Sequence, residues 1–316
     1  MIKYSVIIPT YNGAKVILYP LNALLRQTIP SSEYEIIIVD DGSADKTAEV
    51  IRSFKKNHRD RNIVYIRKEN EGPASARNVG IGRAKGSIIF FTDDDCEPMA
   101  LWMEKILEVY KKHPDVAGVG GWYTPPLYEL KTNLYHQLHY LLYRFYFSWE
   151  LDFFSGKMER AECDPREKRN LLAVNTGNMS FFKWVFQKAG GFDARFRFPG
   201  MEDLEFSERV SQLGFSLYYT QLHILHYKKM NWKRFIKTCA ARAAGSKVYS
   251  RIKLLNRDCL MPSARQNYKM FKTACDDLEI RHPGFRYDRR ILFLALVWFY
   301  LRSFLIKWPF FMRPAS

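Results

Sequence analysis

Three acidic clusters carry most of the chemistry this sequence can offer: Asp40-Asp41, Asp93-Asp94-Asp95 and Glu202-Asp203. The triplet follows directly on Ile88-Ile-Phe-Phe-Thr92, which reads as a buried strand. Neighbouring carboxylates repel one another, so three in a row are destabilising unless solvent or a cation compensates them. Hard oxygen donors in such a place suit Mg²⁺ or Mn²⁺ bridging a phosphate. Taken alone, the triplet reads equally well as a solvated acidic turn. Asp40-Asp41 ends a second apolar run, Tyr34 to Val39, and can accept a hydrogen bond from a base or ribose. Glu202-Asp203 precedes a helical pattern. Acids are favoured at a helix start in any case, but a carboxylate is also what a proton-abstracting step requires.

The elements that must position these groups alternate through the first hundred residues. Strand patterns cover Tyr4–Thr10, Tyr34–Val39, Asn62–Arg67 and Ser87–Thr92; helical patterns cover Ala14–Gln27, Ala44–Lys56, Pro73–Lys85 and Met99–Lys112. Ser43 or Asp45 can cap the second helix. Short apolar strands alternating with helices predict an α/β fold, a mainly parallel sheet flanked by helices and buried on both faces. In such a sheet the carboxyl ends of the strands open into one crevice, so the first two acidic clusters share an edge. Further along, Asn175 to Phe182 and Phe215 to Leu225 read as strands, and Trp184–Ala189 and Leu204–Leu213 as helices, the last closed by Gly214. Leu134–Trp149 is dense in aromatics and Ser155–Arg169 is charged and loop-like.

No Gly-x-Gly-x-x-Gly follows the first strand, and no Gly-x-x-x-x-Gly-Lys-Ser/Thr occurs anywhere. Phosphates must then be handled by metal, which argues against dinucleotide oxidoreductases and P-loop NTPases; a nucleotidyltransferase would need a Gly-rich Arg/Lys phosphate loop after the first strand, which Pro9-Thr-Tyr-Asn-Gly13 does not supply. Five cysteines, scattered and odd in number, read as free thiols of a reducing compartment. Met1 to Pro9 reads as a first strand rather than a signal peptide.

Several motifs occur in a fixed order: Val6-Ile-Ile-Pro-Thr-Tyr11-Asn12, Val39-Asp-Asp-Gly-Ser43, Asn70-Glu-Gly-Pro-Ala-Ser-Ala-Arg77-Asn78 with Gly80, Asp93-Asp-Asp95, and Glu202-Asp203. As an ordered set over roughly residues 3–230, they resemble the family 2 glycosyltransferases, which have the GT-A fold. The resemblance implies an inverting, metal-dependent transfer of a sugar from a nucleoside-diphosphate sugar, UDP-linked by default, with Mn²⁺ or Mg²⁺ as cofactor. It also implies roles. Pro9, Thr10 and Tyr11 would line the nucleobase, with Tyr11 stacking on it and Asp41, beside Asp40, accepting from it. Arg77 would contact the nucleotide and help neutralise its phosphates. Asp93 and Asp94 would face ribose and sugar, Asp95 would ligate the metal, and Asp203 would be the general base. His226 would stand near the metal. Gly177, Asn178 and Glu202 would shape the sugar or acceptor pocket, with Glu202 raising the proton affinity of Asp203. The processive members' Gln-x-x-Arg-Trp motif is absent, which implies one transfer per encounter. His136-x-x-His139 and His223-x-x-His226 have the spacing of helical metal pairs, but neither has a third ligand nearby.

Charge divides the 316 residues. Residues 228–316 hold 20 Lys/Arg against 5 Asp/Glu, leaving 1–227 with +1 of the chain's +16. The expected organisation is a GT-A domain over 1–227, its nucleotide-binding half at about 1–121 and acceptor half at 122–227, and a basic helical extension over 228–316. Trp232, Phe235, Ile236, Cys239 and Ala243 recur at helical spacing among basic residues, a basic amphipathic helix. Asn256 to Arg290 is weakly patterned. Ile291 to Met312 is long enough to span a bilayer, but Arg302 and Lys307 favour an interfacial helix. These features predict attachment to an anionic membrane at its cytoplasmic face, with a lipid-linked glycan or polyprenyl phosphate as acceptor, and not nucleic-acid binding. A non-catalytic nucleotide-sugar-binding protein on the membrane is the alternative.

Overall fold

A computed structural model describes residues 1–124, 126, 134–135, 138, 175–227, 231–252, 265, 268–269, 271–272 and 290–307. Two compact units divide the chain. Met1–Thr124, Glu150–Arg197 and Glu202–Tyr227 form the first; Pro125–Trp149, Phe198–Met201 and Lys228–Ser316 form the second.

The first unit is a curled eight-stranded sheet flanked by helices. Its elements are β1 (Tyr4–Thr10), α1 (Leu18–Leu25), β2 (Tyr34–Asp40), α2 (Thr47–Asn57), β3 (Ile63–Arg67), α3 (Pro73–Arg83), β4 (Ile88–Thr92), β5 (Cys96–Glu97), α4 (Trp102–Lys112), β6 (Val116–Thr124), β7 (Asn178–Phe182), α5 (Lys183–Ala189), α6 (Glu202–Gln212) and β8 (Ser216–His226). The strand order is β3-β2-β1-β4-β7-β6-β8-β5. β2 and β4 are buried along their whole lengths, as strands covered on both faces must be. The β3-β2-β1-β4 half is wholly parallel. From there β7 pairs antiparallel with β4, β6 antiparallel with β7, β8 parallel with β6, and β5 antiparallel with β8. The expected parallel sheet is thus one half of a larger mixed one.

Register positions the acids. β1 and β2 run level to the pair Thr10↔Asp40. β4 lies on the other side of β1, with Ile7↔Phe91, so Tyr11, Asp41 and Asp93 all follow strand ends on one edge.

Helix α1 is shorter than its apolar spacing predicts. Val16 and Ile17 N–H bond to Gly13 O at 2.9 Å in a preceding turn, and the helix begins at Leu18. Starting there places Pro20 in the first turn, where its missing N–H costs nothing; a start at Ala14 would bury it mid-helix. Asp45 rather than Ser43 serves the start of α2, accepting from Thr47 N–H at 3.0 Å. Gly214 closes α6 with φ +84°. His223 and His226 lie on a strand, not a helix, so a three-residue spacing turns them to opposite faces. They are not a metal pair.

In the second unit α7 (Trp232–Ile252) and α8 (Arg290–Lys307) bury Phe235, Ile291, Ala295, Trp298 and Phe299 in one cluster with Leu138 and Phe271. One face of the apolar run after Ile291 is therefore spent inside the unit. Trp232, expected on the apolar face of α7, is 59% exposed, and Phe293 of α8 is 67% exposed. Among the described residues no helix is long and apolar enough to cross a membrane. His136, His139, the loop at 155–169, most of the aromatic segment 134–149 and of 256–289, and 308–312 lie outside the described residues.

Candidate active site

The site is assembled from loops after β1, β2 and β4 and from the far end of β8. Asn12 joins the first two loops. With φ +55° it offers Oδ1 to Ala44 N–H at 2.8 Å, while its own N–H donates to Ser43 Oγ at 2.8 Å. Asn and Asp tolerate this left-handed backbone best among non-glycine residues. Tyr11, next to it, is 51% exposed and open for stacking.

Asp40 and Asp41 divide their duties. Asp40 is fully buried and accepts from Ser43 N–H at 2.8 Å and Tyr65 OH at 2.7 Å, which makes it a brace for the loop. Burial and that bond push the Tyr65 hydroxyl up to about 12. Asp41 accepts from Lys68 Nζ at 2.9 Å, Glu71 N–H at 3.1 Å and Gly72 N–H at 2.7 Å. Those three bonds leave one of the carboxylate's four acceptor positions over.

In the triplet each carboxylate has a different partner. Asp93 Oδ1 accepts from Arg77 Nη2 at 2.8 Å. Asp94 Oδ2 accepts from Thr10 Oγ1 at 2.6 Å. Burial, then the charges of Asp95 and Asp93, push the Asp94 carboxyl up to about 7 despite that hydrogen bond. Gly13 makes room for the pair: a Cβ there would overlap Thr10 Oγ1 and lie 2.5 Å from Asp94 Oδ2. Asp95 Oδ1 lies 3.1 Å from His226 Nε2. β5 sets this last contact, because Cys96 pairs in register with His226 and Tyr227 N–H donates to Asp95 O at 2.7 Å. The Cys96 thiol is buried beside both residues; burial, then Asp95 and Asp93, raise its pKa well above the usual thiol value. A carboxylate oxygen and an imidazole nitrogen side by side would suit a divalent cation of the Mn²⁺ class.

Arg77 sits apart from its expected role. It is buried, with Nη2 on Asp93 and Nη1 3.1 Å from Glu202 Oε1, and its guanidinium lies 5.9 Å from the Phe192 ring centre. Two carboxylates share its one positive charge. Its Nε has no hydrogen-bond partner among the described residues. Glu202, only 2% exposed, is correspondingly committed to Arg77 rather than to a pocket. Asp203, half-buried in the first turn of α6, accepts from Leu204 N–H at 2.9 Å. Met201, just before it, holds φ +76°, a costly conformation for a side chain of its size.

Asn178 is not a pocket residue. It has no exposure; Oδ1 accepts from Trp102 Nε1 at 2.8 Å, and Nδ2 donates to Trp122 O at 3.0 Å and Leu222 O at 2.9 Å. The amide is a bracket between β6, β7, β8 and α4. Gly177 is close to the site through its backbone, its N–H donating to Tyr123 OH at 2.8 Å. Tyr123 also bonds Asn175 Oδ1, reaches Asp93 Oδ2 at 3.4 Å and stacks on His226 at 4.9 Å. Sequence reading missed Tyr123, Lys68 and Gly13. Tyr123 ends a strand entering the loosely patterned region, and nothing local signals its partners.

The glycosyl transferase family 2 model matches residues 5–186, and the model described as N-terminal domain of galactosyltransferase matches 157–233. Glycosyltransferase AglE of Haloferax volcanii is 45% identical over 101 residues, 32% of this chain and 33% of that protein. Chondroitin synthase of Escherichia coli is 31% identical over 232 residues, 66% of this chain and 32% of that protein. The chain thus spans about a third of the length of these relatives. Among solved structures, the Pyrobaculum calidifontis mannosyltransferase PcManGT with GDP-Man and Mn²⁺ has a TM-score of 0.65 at 17% identity, covering 97% of this chain and 87% of that one. Staphylococcus aureus TarS with UDP-GlcNAc has a TM-score of 0.54 at 14% identity, covering 97% and 91%. At such identities the likeness is one of fold, the GT-A fold. With more than half of its length matched by the family model, the chain belongs to glycosyl transferase family 2.

Proposed function

We propose that this chain transfers a sugar from a nucleoside-diphosphate sugar, UDP-linked by default, to an acceptor hydroxyl with inversion at the anomeric carbon. The observation that carries the reading is the meeting of Asp41, Asp93–Asp95 and His226 at one sheet edge, with His226 brought to 3.1 Å from Asp95. Tyr11 stacks on the base, the remaining acceptor position of Asp41 receives from it, and Asp93 and Asp94 face ribose and sugar. Asp95 and His226 hold a divalent cation, Mn²⁺ or Mg²⁺. When bound, it offsets the charge that grows on the departing diphosphate. Asp203 takes the proton of the attacking hydroxyl as the nucleoside diphosphate leaves, so one bond forms as one breaks. The fold neighbours solved with GDP-Man and Mn²⁺ or with UDP-GlcNAc support the donor class and the cation.

The acceptor belongs to a membrane-proximal or lipid-linked glycan. What supports this is the concentration of basic residues after 227 together with exposed Trp232, Ile236, Phe293 and Tyr300 in the same unit. Each basic residue near an anionic surface contributes about 1 kcal/mol of attraction. On this reading the protein is peripheral, at the cytoplasmic face.

A thermal-shift panel of nucleotide sugars with Mn²⁺ and Mg²⁺ tests the reading. A matched donor at about 100 times its Kd adds about 2.7 kcal/mol and raises Tm only when metal is present. A panel without any metal-dependent shift refutes it. Co-sedimentation with anionic vesicles, lost at high salt, tests the membrane part.

A further inference from the structure

The geometry points to Cys96 as a third protein ligand beside Asp95 and His226, making this corner of the sheet a site for a thiophilic divalent cation of the Zn²⁺ or Co²⁺ class. One ligand atom from each of the three residues lies within 4.8 Å of the other two. The arrangement follows from the backbone. Cys96 and His226 are directly paired on antiparallel strands, so their side chains leave the same face of the sheet. Asp95 is the residue before Cys96, and its carbonyl is tied to Tyr227 N–H at 2.7 Å.

Oxygen and nitrogen alone would leave the choice among divalent ions open. A sulfur donor biases the set towards Zn²⁺ and its analogues. One carboxylate, one thiolate and one imidazole form a three-ligand site with a fourth position left for water or a phosphate oxygen, the arrangement of open zinc sites. On binding, the thiol proton passes to solvent and the sulfur–metal bond replaces it. Zn²⁺ would therefore hold the same corner as the harder cation of the proposed reaction, and compete with it.

Co²⁺ titrated into the metal-stripped full-length protein provides the probe, because only thiolate ligation gives an intense near-ultraviolet sulfur-to-cobalt charge-transfer band. The band is expected in the wild type, lost in Cys96→Ser, and reversed by Zn²⁺. It is expected to persist when Cys163, Cys239, Cys259 and Cys275 are all replaced by Ser, a second variant that keeps the test valid if Cys96→Ser does not fold. Absence of the band in the wild type, its survival in Cys96→Ser, or its loss in the four-cysteine variant overturns the proposal. It rests on Asp95 and His226 as cation ligands. A Mn²⁺-dependent donor shift that survives where the band is absent overturns Cys96 alone and leaves the transfer reading standing.

Discussion

Arg77 and Glu202, 125 residues apart in sequence, form a buried ion pair with Nη1 3.1 Å from Oε1. The same guanidinium holds Asp93, so one side chain ties the acidic triplet to the start of α6, which carries Asp203.

Removing Glu202 takes from Arg77 one of its two carboxylates and leaves it held by Asp93, the loss of a charge-assisted hydrogen bond worth about 1.5–3 kcal/mol. Glu202→Ala is therefore expected to lower the denaturation midpoint strongly. Arg77→Met takes the guanidinium from both Asp93 and Glu202 and should cost more, about 3–5 kcal/mol. If the single Glu202 variant unfolds like the wild type, the pair does not hold the site together.

Asp203→Asn should reduce transfer by about 10²–10⁴-fold, the usual contribution of a positioned base. Nucleotide binding, followed calorimetrically, should survive. Undiminished turnover in this variant would remove Asp203 as the base.

Gly13→Ala pushes a methyl group into the Thr10–Asp94 hydrogen bond. Overpacking of this kind costs about 1–3 kcal/mol. The expected result is a lower Tm together with a weakened metal-dependent shift from the donor, whereas Gly82→Ala, where a Cβ meets nothing, should alter neither.

Asn178→Ala separates core from pocket. It strips partners from Trp102 Nε1 and from two carbonyls, each worth about 1–3 kcal/mol when left buried and unsatisfied. Stability should fall by several times what any surface substitution gives, while KM for the donor in the folded fraction stays near wild type.

The Asp94 carboxyl, pushed up to about 7, makes cation binding proton-linked. An unfolded aspartate titrates near about 4, so between there and about pH 7 the metal-free fold holds a proton that the unfolded chain has lost. Stability from this group therefore declines as pH rises through that window. Burial is the larger cause of the shift, but a cation offsets the repulsion from Asp95 and Asp93 that adds to it, so the Tm gain from Mn²⁺ should be small at about pH 5 and grow towards about pH 8. A gain that does not vary with pH contradicts the linkage.

The parallel half of the sheet was legible because each strand is a short apolar run punctuated by acid or glycine, and each helix has its own spacing. The acids at the strand ends were legible for the same reason, since Asp41 and Asp93 stand where those runs stop. What local pattern cannot carry is partnership. Nothing local to Arg77 announces Glu202 beside it, and nothing local to Asn178 announces the three elements that converge on its amide. β5 is two residues long and has no periodicity to detect, although it delivers His226 to Asp95.

That brevity has a consequence for motion. Two register pairs fasten β5 to β8 at the end of the sheet, so this ladder can open without disturbing the continuous core of β1, β2 and β4. Beyond those two pairs the segment is held by Tyr227 N–H on Asp95 O and by Arg26 and Tyr227 OH on Glu97, and anything bridging Asp95 and His226 would add a latch. Amide exchange at Cys96 and Tyr227 would register that latch closing, long before global unfolding registers anything.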